Sequence, residues 1–179
     1  SEIYFYLERC GFFNLFDDRP YHQGQNSTPI KFFSKMEEEE EVVTYLMTKW
    51  LKPAWLDCSE ELAGAIIGNI WEMFANSIEH SNSHVGLAVC GQHYPIKKEL
   101  TLSLTDLGVS IPGNVRRHLD KKSMPIKEAL CWAMTRGNST REGSPGGLGL
   151  NMLKEFISAN NAVMSIYSSN GYYKLHRSR

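Results

Sequence analysis

The sequence predicts an α/β fold, because helical and strand-like patterns alternate along a chain of 179 residues. Apolar residues recur three or four positions apart through residues 59–81, as on the faces of a helix. Residues 99–106 instead alternate leucines with threonine and serine, which is the period of a strand. Near the end of the chain, Asn170 and Gly171 separate two short strand-like runs and predict a β-hairpin.

Composition and charge exclude several classes of function. The chain is 42% hydrophobic and 22% charged, which is typical of a globular domain. Its net charge of -1 and its pI near 6.6 argue against a broad nucleic-acid-binding surface. No apolar run reaches the roughly 18 residues of a membrane span, and residues 1–10 lack the basic flank and apolar core of a signal peptide. We therefore expect a cytoplasmic protein with no nucleic-acid or membrane partner.

The cysteines show no spacing that is typical of a metal site or a redox motif. They are far apart in the sequence and form no CxxC pair (Cys10, Cys58, Cys90 and Cys131). We expect reduced and mostly buried thiols.

Residues 1–55 predict an aromatic and acidic helical segment, which we interpret as a linker or the end of a preceding domain. A short helix is expected from Glu2 to Cys10, followed by a polar, turn-rich stretch. Five glutamates from Glu37 lead into a second helix, predicted over residues 36–51 and ended by Pro53. Residues 56–179 form the main predicted domain.

The helix predicted from Ser59 to about Ser81 carries the first candidate site. Ser59 is a suitable cap, and acidic residues follow it in the first turn. Polar side chains recur along one stripe of this otherwise apolar helix, which we expect to be largely buried (Asn69, Glu72, Asn76 and His80). Gly64 and Gly68 each cost about 1 kcal/mol relative to alanine inside a helix. Close packing against a neighbouring element would offset that cost.

The second and third candidate sites lie further along the chain. Strands are predicted over residues 85–91 and 99–106, and the second strand ends at Asp106-Leu107-Gly108. A polar and basic segment, residues 112–122, precedes a helix predicted from Pro125 to about Thr135. Gly146-Gly147-Leu148-Gly149 then leads into an amphipathic helix, a device that can hold phosphate through free backbone N–H groups.

These three motifs, in this order, resemble the N, G1 and G2 boxes of the GHKL ATPases, the superfamily of histidine kinase-like ATP-binding domains. The resemblance covers about residues 56–176, and the ExxxNxxxH form of the first motif looks most like the anti-sigma-factor serine kinases. It implies the Bergerat fold, a two-layer α/β sandwich with a mixed, mostly antiparallel sheet and helices on one face. ATP and Mg²⁺ are the implied ligands.

The resemblance also implies a role for each matching residue. Asn76 would coordinate Mg²⁺, and Glu72 would act as general base toward water or a serine hydroxyl. Asp106 would accept a hydrogen bond from the adenine amino group, and Gly108 would leave room for the base. The phosphates would be wrapped by the glycine-rich loop (Gly146, Gly147, Leu148 and Gly149), with residues 112–144 as a lid.

Several alternatives stay open. His80 is either a nucleotide contact or a histidine that is hydrogen-bonded at the helix end, and Arg141 either reaches a phosphate or is solvent-exposed. The chain either hydrolyses ATP slowly, transfers its phosphate to a protein, or is an ATP-gated regulatory module that sequesters a protein partner. A homodimer is compatible with each. A metal hydrolase that uses Glu79, His80 and His84 is disfavoured, because the HExxH spacing is absent.

Overall fold

A computed structural model describes residues 2–17, 24–34, 39–52, 54–140, 149–160 and 162–176. The predicted α/β class with antiparallel strands is confirmed, whereas the assignment to the Bergerat fold stays a prediction. Contacts divide the chain into two compact units, one of residues 1–74 and 83–107 and the other of residues 75–82 and 108–179. No helix in the described ranges is both long enough and apolar enough to cross a lipid bilayer.

The first unit contains a three-stranded antiparallel sheet in the order β1-β2-β3. Its strands are β1 (Ser27–Phe33), β2 (Leu87–Tyr94) and β3 (Glu99–Asp106). Its helices are α1 (Glu2–Arg9), a 3₁₀ helix (Phe12–Leu15), α2 (Glu39–Tyr45) with a π-helical extension (Leu46–Trp50), and most of α3 (Glu60–Ser81). The hairpin register pairs Leu87 with Asp106 at one end and Tyr94 with Glu99 at the other.

Strand β1 was not predicted from the sequence. It contains Pro29, which has no N–H to donate to a neighbouring strand. Proline is therefore tolerated only at sheet edges and bulges. Here β1 is an edge strand, and its pairing with β2 is irregular between Thr28 and Lys31. The irregularity accommodates the proline, and it also breaks the alternating pattern by which a strand is recognised.

The core of the first unit forms where α2 and α3 pack on one face of the sheet. Phe33 and Phe74 are fully buried, and their rings meet edge to face with centroids 5.4 Å apart. Tyr45 packs against Phe33 and donates a hydrogen bond of 2.7 Å to the carbonyl of Pro29. These contacts join β1 to both helices.

The helix predicted over residues 36–51 ends as a π-helix that carries Trp50. The N–H of Leu51 donates to the carbonyl of Leu46, five residues earlier. The wider turn accompanies burial of Leu46 and Trp50, and the Trp50 indole donates a 2.7 Å hydrogen bond to the Thr101 carbonyl. Gly91 is required beneath the indole, because a Cβ there would lie 2.6 Å from Trp50 Cδ1.

The described residues of the second unit form the end of α3, three further helices and a two-stranded sheet. The helices are α4 (Ile111–His118), α5 (Ile126–Ala133) and α6 (Gly149–Ala159), and the strands are β4 (Val163–Ser168) and β5 (Gly171–His176). The predicted hairpin is confirmed, with Ser168 paired to Gly171 across the turn. Helix α5 packs on β5 so closely that a Cβ at Gly171 would lie 2.4 Å from Ile126 Cγ2.

Part of the polar segment predicted over residues 112–122 forms helix α4, which was not predicted. Ser110 caps it by accepting a hydrogen bond from the Gly113 N–H. Apolar residues recur every four positions along α4, at Ile111, Val115 and Leu119. They pack with Met124, which precedes α5, and with Ala129 of α5. This apolar stripe is a helix signal that the neighbouring basic residues obscured.

Helix α3 is half-exposed rather than largely buried. One stripe is buried, at intervals of three and four residues (Ala63, Ile67, Ile70 and Phe74). Close packing does not offset the cost of Gly64 and Gly68 within the described residues, because a Cβ at either position would meet no described atom within 4 Å. Both glycines lie on an open face of the helix.

Candidate functional site

The polar stripe of α3 lies beside the buried one. Glu72, Asn76 and His80 are each partly exposed, and each lies one helical turn from the next. The Asn69 side chain bonds to its own helix, because its amide donates a 2.8 Å hydrogen bond to the Ala65 carbonyl. The side chains that can act together are therefore those of the last three turns of α3.

The end of α3 is fixed by the segment that follows β3. Asn82 adopts a left-handed conformation with φ of 50° and ends the helix. The buried Ser81 presents its carbonyl to the N–H of Val109, which donates to it. A Cβ at Gly108 would lie 2.0 Å from that same Ser81 oxygen, so only glycine fits here.

Asn114 of α4 holds the neighbouring carbonyl. Its side-chain amide donates a 2.7 Å hydrogen bond to the His80 carbonyl oxygen. The last carbonyls of a helix have no partner within the helix, and buried ones need a donor from elsewhere. Val109 and Asn114 supply donors to two of them, so the ExxxNxxxH helix and the Asp-x-Gly turn are joined at this point.

Asp106 lies at the last position of β3, paired across the sheet with Leu87. Its side chain is partly buried, and it precedes the helix contact at Gly108 by two residues. The sequence placed this carboxylate correctly at the end of a strand. The sequence predicted the helix end near Ser81, but not the contacts that Ser81 and Asn114 make there.

The third predicted motif lies mostly outside the described residues. This applies to Arg141, Gly146, Gly147 and Leu148, whereas Gly149 is the first residue of α6. Helix α6 has the expected amphipathic form, with Leu153 and Ile157 buried. A helix therefore follows the glycines as predicted, and the phosphate-binding loop itself stays a prediction.

The part of the predicted lid that the structure describes, residues 112–140, contains regular secondary structure. Helices α4 and α5 share a small core around Val115, Met124 and Ala129. The first turn of α4 is tied to the terminal hairpin, because the Ile111 N–H donates a 2.9 Å hydrogen bond to Ser168 Oγ.

Two other features bear on ligand binding. Within the described ranges, no three His, Cys, Asp or Glu side chains form a group that could hold a metal ion. A shallow surface depression of about 540 Å³ lies at the α4–α5 turn and is lined in part by Asp120, Lys122 and Glu128. None of the predicted site residues that the structure describes belongs to its lining.

Comparison of the chain with models of protein families, with curated proteins and with solved structures finds no match.

Proposed function

We propose that this chain is a Mg²⁺-dependent ATP-binding domain of the GHKL type, which hydrolyses ATP slowly or transfers its phosphate to a protein. The observation that carries the proposal is the contact between Gly108 and Ser81. Two motifs that are separated by more than twenty residues meet at one point, and the glycine of one is sterically required by the helix of the other. The contact thus brings the second motif to the end of the helix that carries the first.

The proposed roles follow from side-chain chemistry. The Asn76 amide oxygen is a neutral, hard ligand that suits Mg²⁺, an ion that keeps several waters and phosphate oxygens in its shell. Such a site needs few protein carboxylates, so a three-residue cluster of metal ligands is not expected. Glu72, one turn earlier on the same stripe, is the proposed general base toward the attacking water or hydroxyl.

Adenine selectivity is assigned to Asp106. A carboxylate accepts hydrogen bonds, so it favours the amino group of adenine over the carbonyl that guanine carries at the same position. The proposal keeps Gly146, Gly147, Leu148 and Gly149 as the phosphate loop, with His80 and Arg141 as further nucleotide contacts.

Isothermal titration with ATP and Mg²⁺ tests the site. Asn76→Ala and Asp106→Asn are expected to abolish measurable binding, whereas Glu72→Ala keeps binding and loses turnover. Two matched controls are available: Asn69→Ala on the same helix and Glu99→Gln at the opposite end of β3. Both controls are expected to bind ATP as the parent protein does. Full affinity in both Asn76→Ala and Asp106→Asn would refute the site.

A regulatory interaction module is the second candidate, and the surface of α1 and the 3₁₀ helix favours it. Large apolar side chains are exposed there, including Ile3 at 72% and Phe16 at 75%. Exposed apolar clusters of this kind mark protein-interaction sites. In this proposal the acidic helix α2 shares the surface; there Glu41 pairs with Lys31, and residues 35–38 lie outside the described ranges.

The two candidates differ in what the purified protein retains from a lysate. A sequestering module is expected to retain one protein in stoichiometric amount, with retention that changes when ATP is added. An Ile3→Ser/Phe16→Ser double variant is expected to lose that protein while it still binds ATP. Retention of no stoichiometric protein, together with ATP turnover that depends on Glu72, favours the enzyme.

A further inference from the structure

Cys10 and Cys90 are distant in sequence but lie on neighbouring segments of the first unit. The Ile30 N–H of β1 donates a 2.7 Å hydrogen bond to the Cys10 carbonyl at the end of α1. Across the sheet, Thr28 pairs with Gly91 and Lys31 with Val89. Cys90 therefore lies opposite the irregular part of β1 that contacts Cys10.

The Cys10 and Cys90 side chains also lie on the same side of the sheet, Cys90 on strand β2 and Cys10 just after helix α1. Leu87 and Val89 are buried against the helices of the core, so alternation directs Cys90 to the opposite face. Tyr94 points to the same face as Cys90, and its pKa is raised by burial and by neighbouring Tyr6 of α1 and Glu99. Helix α1 therefore lies over this face, where the Cys10 S–H donates a 3.3 Å hydrogen bond to the Leu7 carbonyl and the Cys10 and Cys90 side chains are close enough to affect each other's ionisation.

The environment makes the two thiols chemically different. Once Cys10 has lost its proton, the Cys90 S–H donates to the Cys10 sulfur, and this hydrogen bond, with a smaller contribution from backbone N–H groups, lowers the pKa of Cys10 to about 6 against the effect of burial. The same hydrogen bond, with burial, raises the pKa of Cys90. Since thiolates are the nucleophiles of sulfur chemistry, Cys10 is the attacking sulfur and Cys90 the resolving one.

We propose that Cys10 and Cys90 form a redox modification site, at which a small hydroperoxide converts the two thiols into a reversible disulfide between α1 and β2. The Cys10 thiolate attacks the peroxide, and the O–O bond breaks to give a sulfenic acid and, with a proton, water or an alcohol. The Cys90 sulfur then attacks the Cys10 sulfur, and a second water leaves as the S–S bond forms. Two thiols are oxidised and one peroxide is reduced.

Because Cys10 is almost buried, only a small oxidant can reach the thiol pair. Cys10 is only 8% exposed, whereas Cys131 is exposed on α5. A hydroperoxide is small enough to reach a nearly buried sulfur, and a glutathione-sized disulfide is not. Cys131 therefore serves as an internal comparison, since it is the more accessible thiol but has no described thiol partner.

The experiment uses the reduced full chain, hydrogen peroxide, a quench with N-ethylmaleimide under denaturing conditions, and mass spectrometry of non-reduced peptides. We expect a species that has lost two hydrogens, labels at only two of the four cysteines, and yields one cross-linked peptide pair containing Cys10 and Cys90. Dithiothreitol is expected to restore four labels. Because the reaction is intramolecular, its rate should not change with protein concentration.

Variants sharpen the test. Cys58→Ser/Cys131→Ser should still lose two hydrogens, and adding Cys10→Ser should abolish that loss. The peptide map of the unmodified sequence needs no variant, so misfolding of a variant cannot obscure the result. Disulfides that involve only Cys58 or Cys131, links between chains, or full labelling of both Cys10 and Cys90 after peroxide would overturn the proposal.

Discussion

The Cα of Gly108 lies so close to the Ser81 carbonyl that an added methyl group would be 2.0 Å from its oxygen and 2.5 Å from its carbon. The neighbouring atoms are backbone, which cannot move aside as a flexible side chain would. The contact thus holds the end of α3 against the turn after β3. It also gives Gly108 a structural requirement that is independent of any nucleotide.

Gly108→Ala is therefore expected to be destabilising. Overpacking of well-packed sites costs about 1–3 kcal/mol, and a backbone clash belongs at the upper end of that range. Urea denaturation measures the free energy of unfolding. The matched control is Gly64→Ala, the same change at a position where the added Cβ meets no described atom. Equal stability of Gly108→Ala and the parent protein would show that the two segments are not in contact.

The hydrogen bond from Asn114 to the His80 carbonyl gives a second prediction. Asn114→Ala removes the donor from a part-buried carbonyl, at a cost of about 1 kcal/mol. Asn114→Asp is expected to cost more, because it also places a negative charge at the negative end of the α3 dipole. The free energies of unfolding should thus decrease from parent to alanine to aspartate.

Asn160→Ala provides the control for this series. Its side-chain amide donates a 2.9 Å hydrogen bond to the Phe156 carbonyl, four residues earlier on an exposed helix end. The same substitution there should change stability by only a few tenths of a kcal/mol. If Asn114→Asp were as stable as Asn114→Ala, the side chain would not face the helix end.

The open face of α3 predicts the opposite effect. Gly64→Ala and Gly68→Ala should each stabilise the protein, by about 0.5–1 kcal/mol, because alanine restricts the unfolded chain and suits a helix interior. Thermal unfolding followed by circular dichroism measures the gain. A decrease in melting temperature for both would mean that a partner or another segment packs closely on this face.

Local patterns allowed much of the fold to be predicted. Helix α3, the β2–β3 hairpin and the terminal hairpin are each specified by periodicity and by turn residues within a few positions. Strand β1 was missed because Pro29 and an irregular register remove that periodicity. Helix α4 was missed because basic residues at its end outweighed the apolar stripe of Ile111, Val115 and Leu119.

The long-range contacts could not be predicted, since no local pattern records them. The sequence showed Asp106 and Gly108 as one motif, but not that Gly108 abuts Ser81. The expectation of mostly buried cysteines is wrong: Cys10 is buried, Cys58 and Cys90 are intermediate, and Cys131 is exposed. The proximity of Cys10 and Cys90 arises from the order of segments in the first unit.

The thiol pair gives a prediction that is independent of disulfide formation. In the folded protein the pKa of Cys10 is lowered from 9.0 to about 6, chiefly by the hydrogen bond from Cys90. Between these two pH values Cys10 is therefore mainly a thiolate, and it becomes a neutral thiol as the pH falls through the lower value. Cys90→Ala removes the donor, leaves burial to act on Cys10, and should move its titration toward higher pH.

Cys90→Ser tests the cause of that shift, because the serine hydroxyl can still donate to the Cys10 sulfur. All variants are made in a Cys58→Ser/Cys131→Ser background, where ultraviolet absorbance of the thiolate reports only the pair. The serine variant should keep a low Cys10 pKa and the alanine variant should lose it. The same titration in both would mean that Cys90 does not stabilise the Cys10 thiolate, and the assignment of Cys10 as the attacking sulfur would then fail.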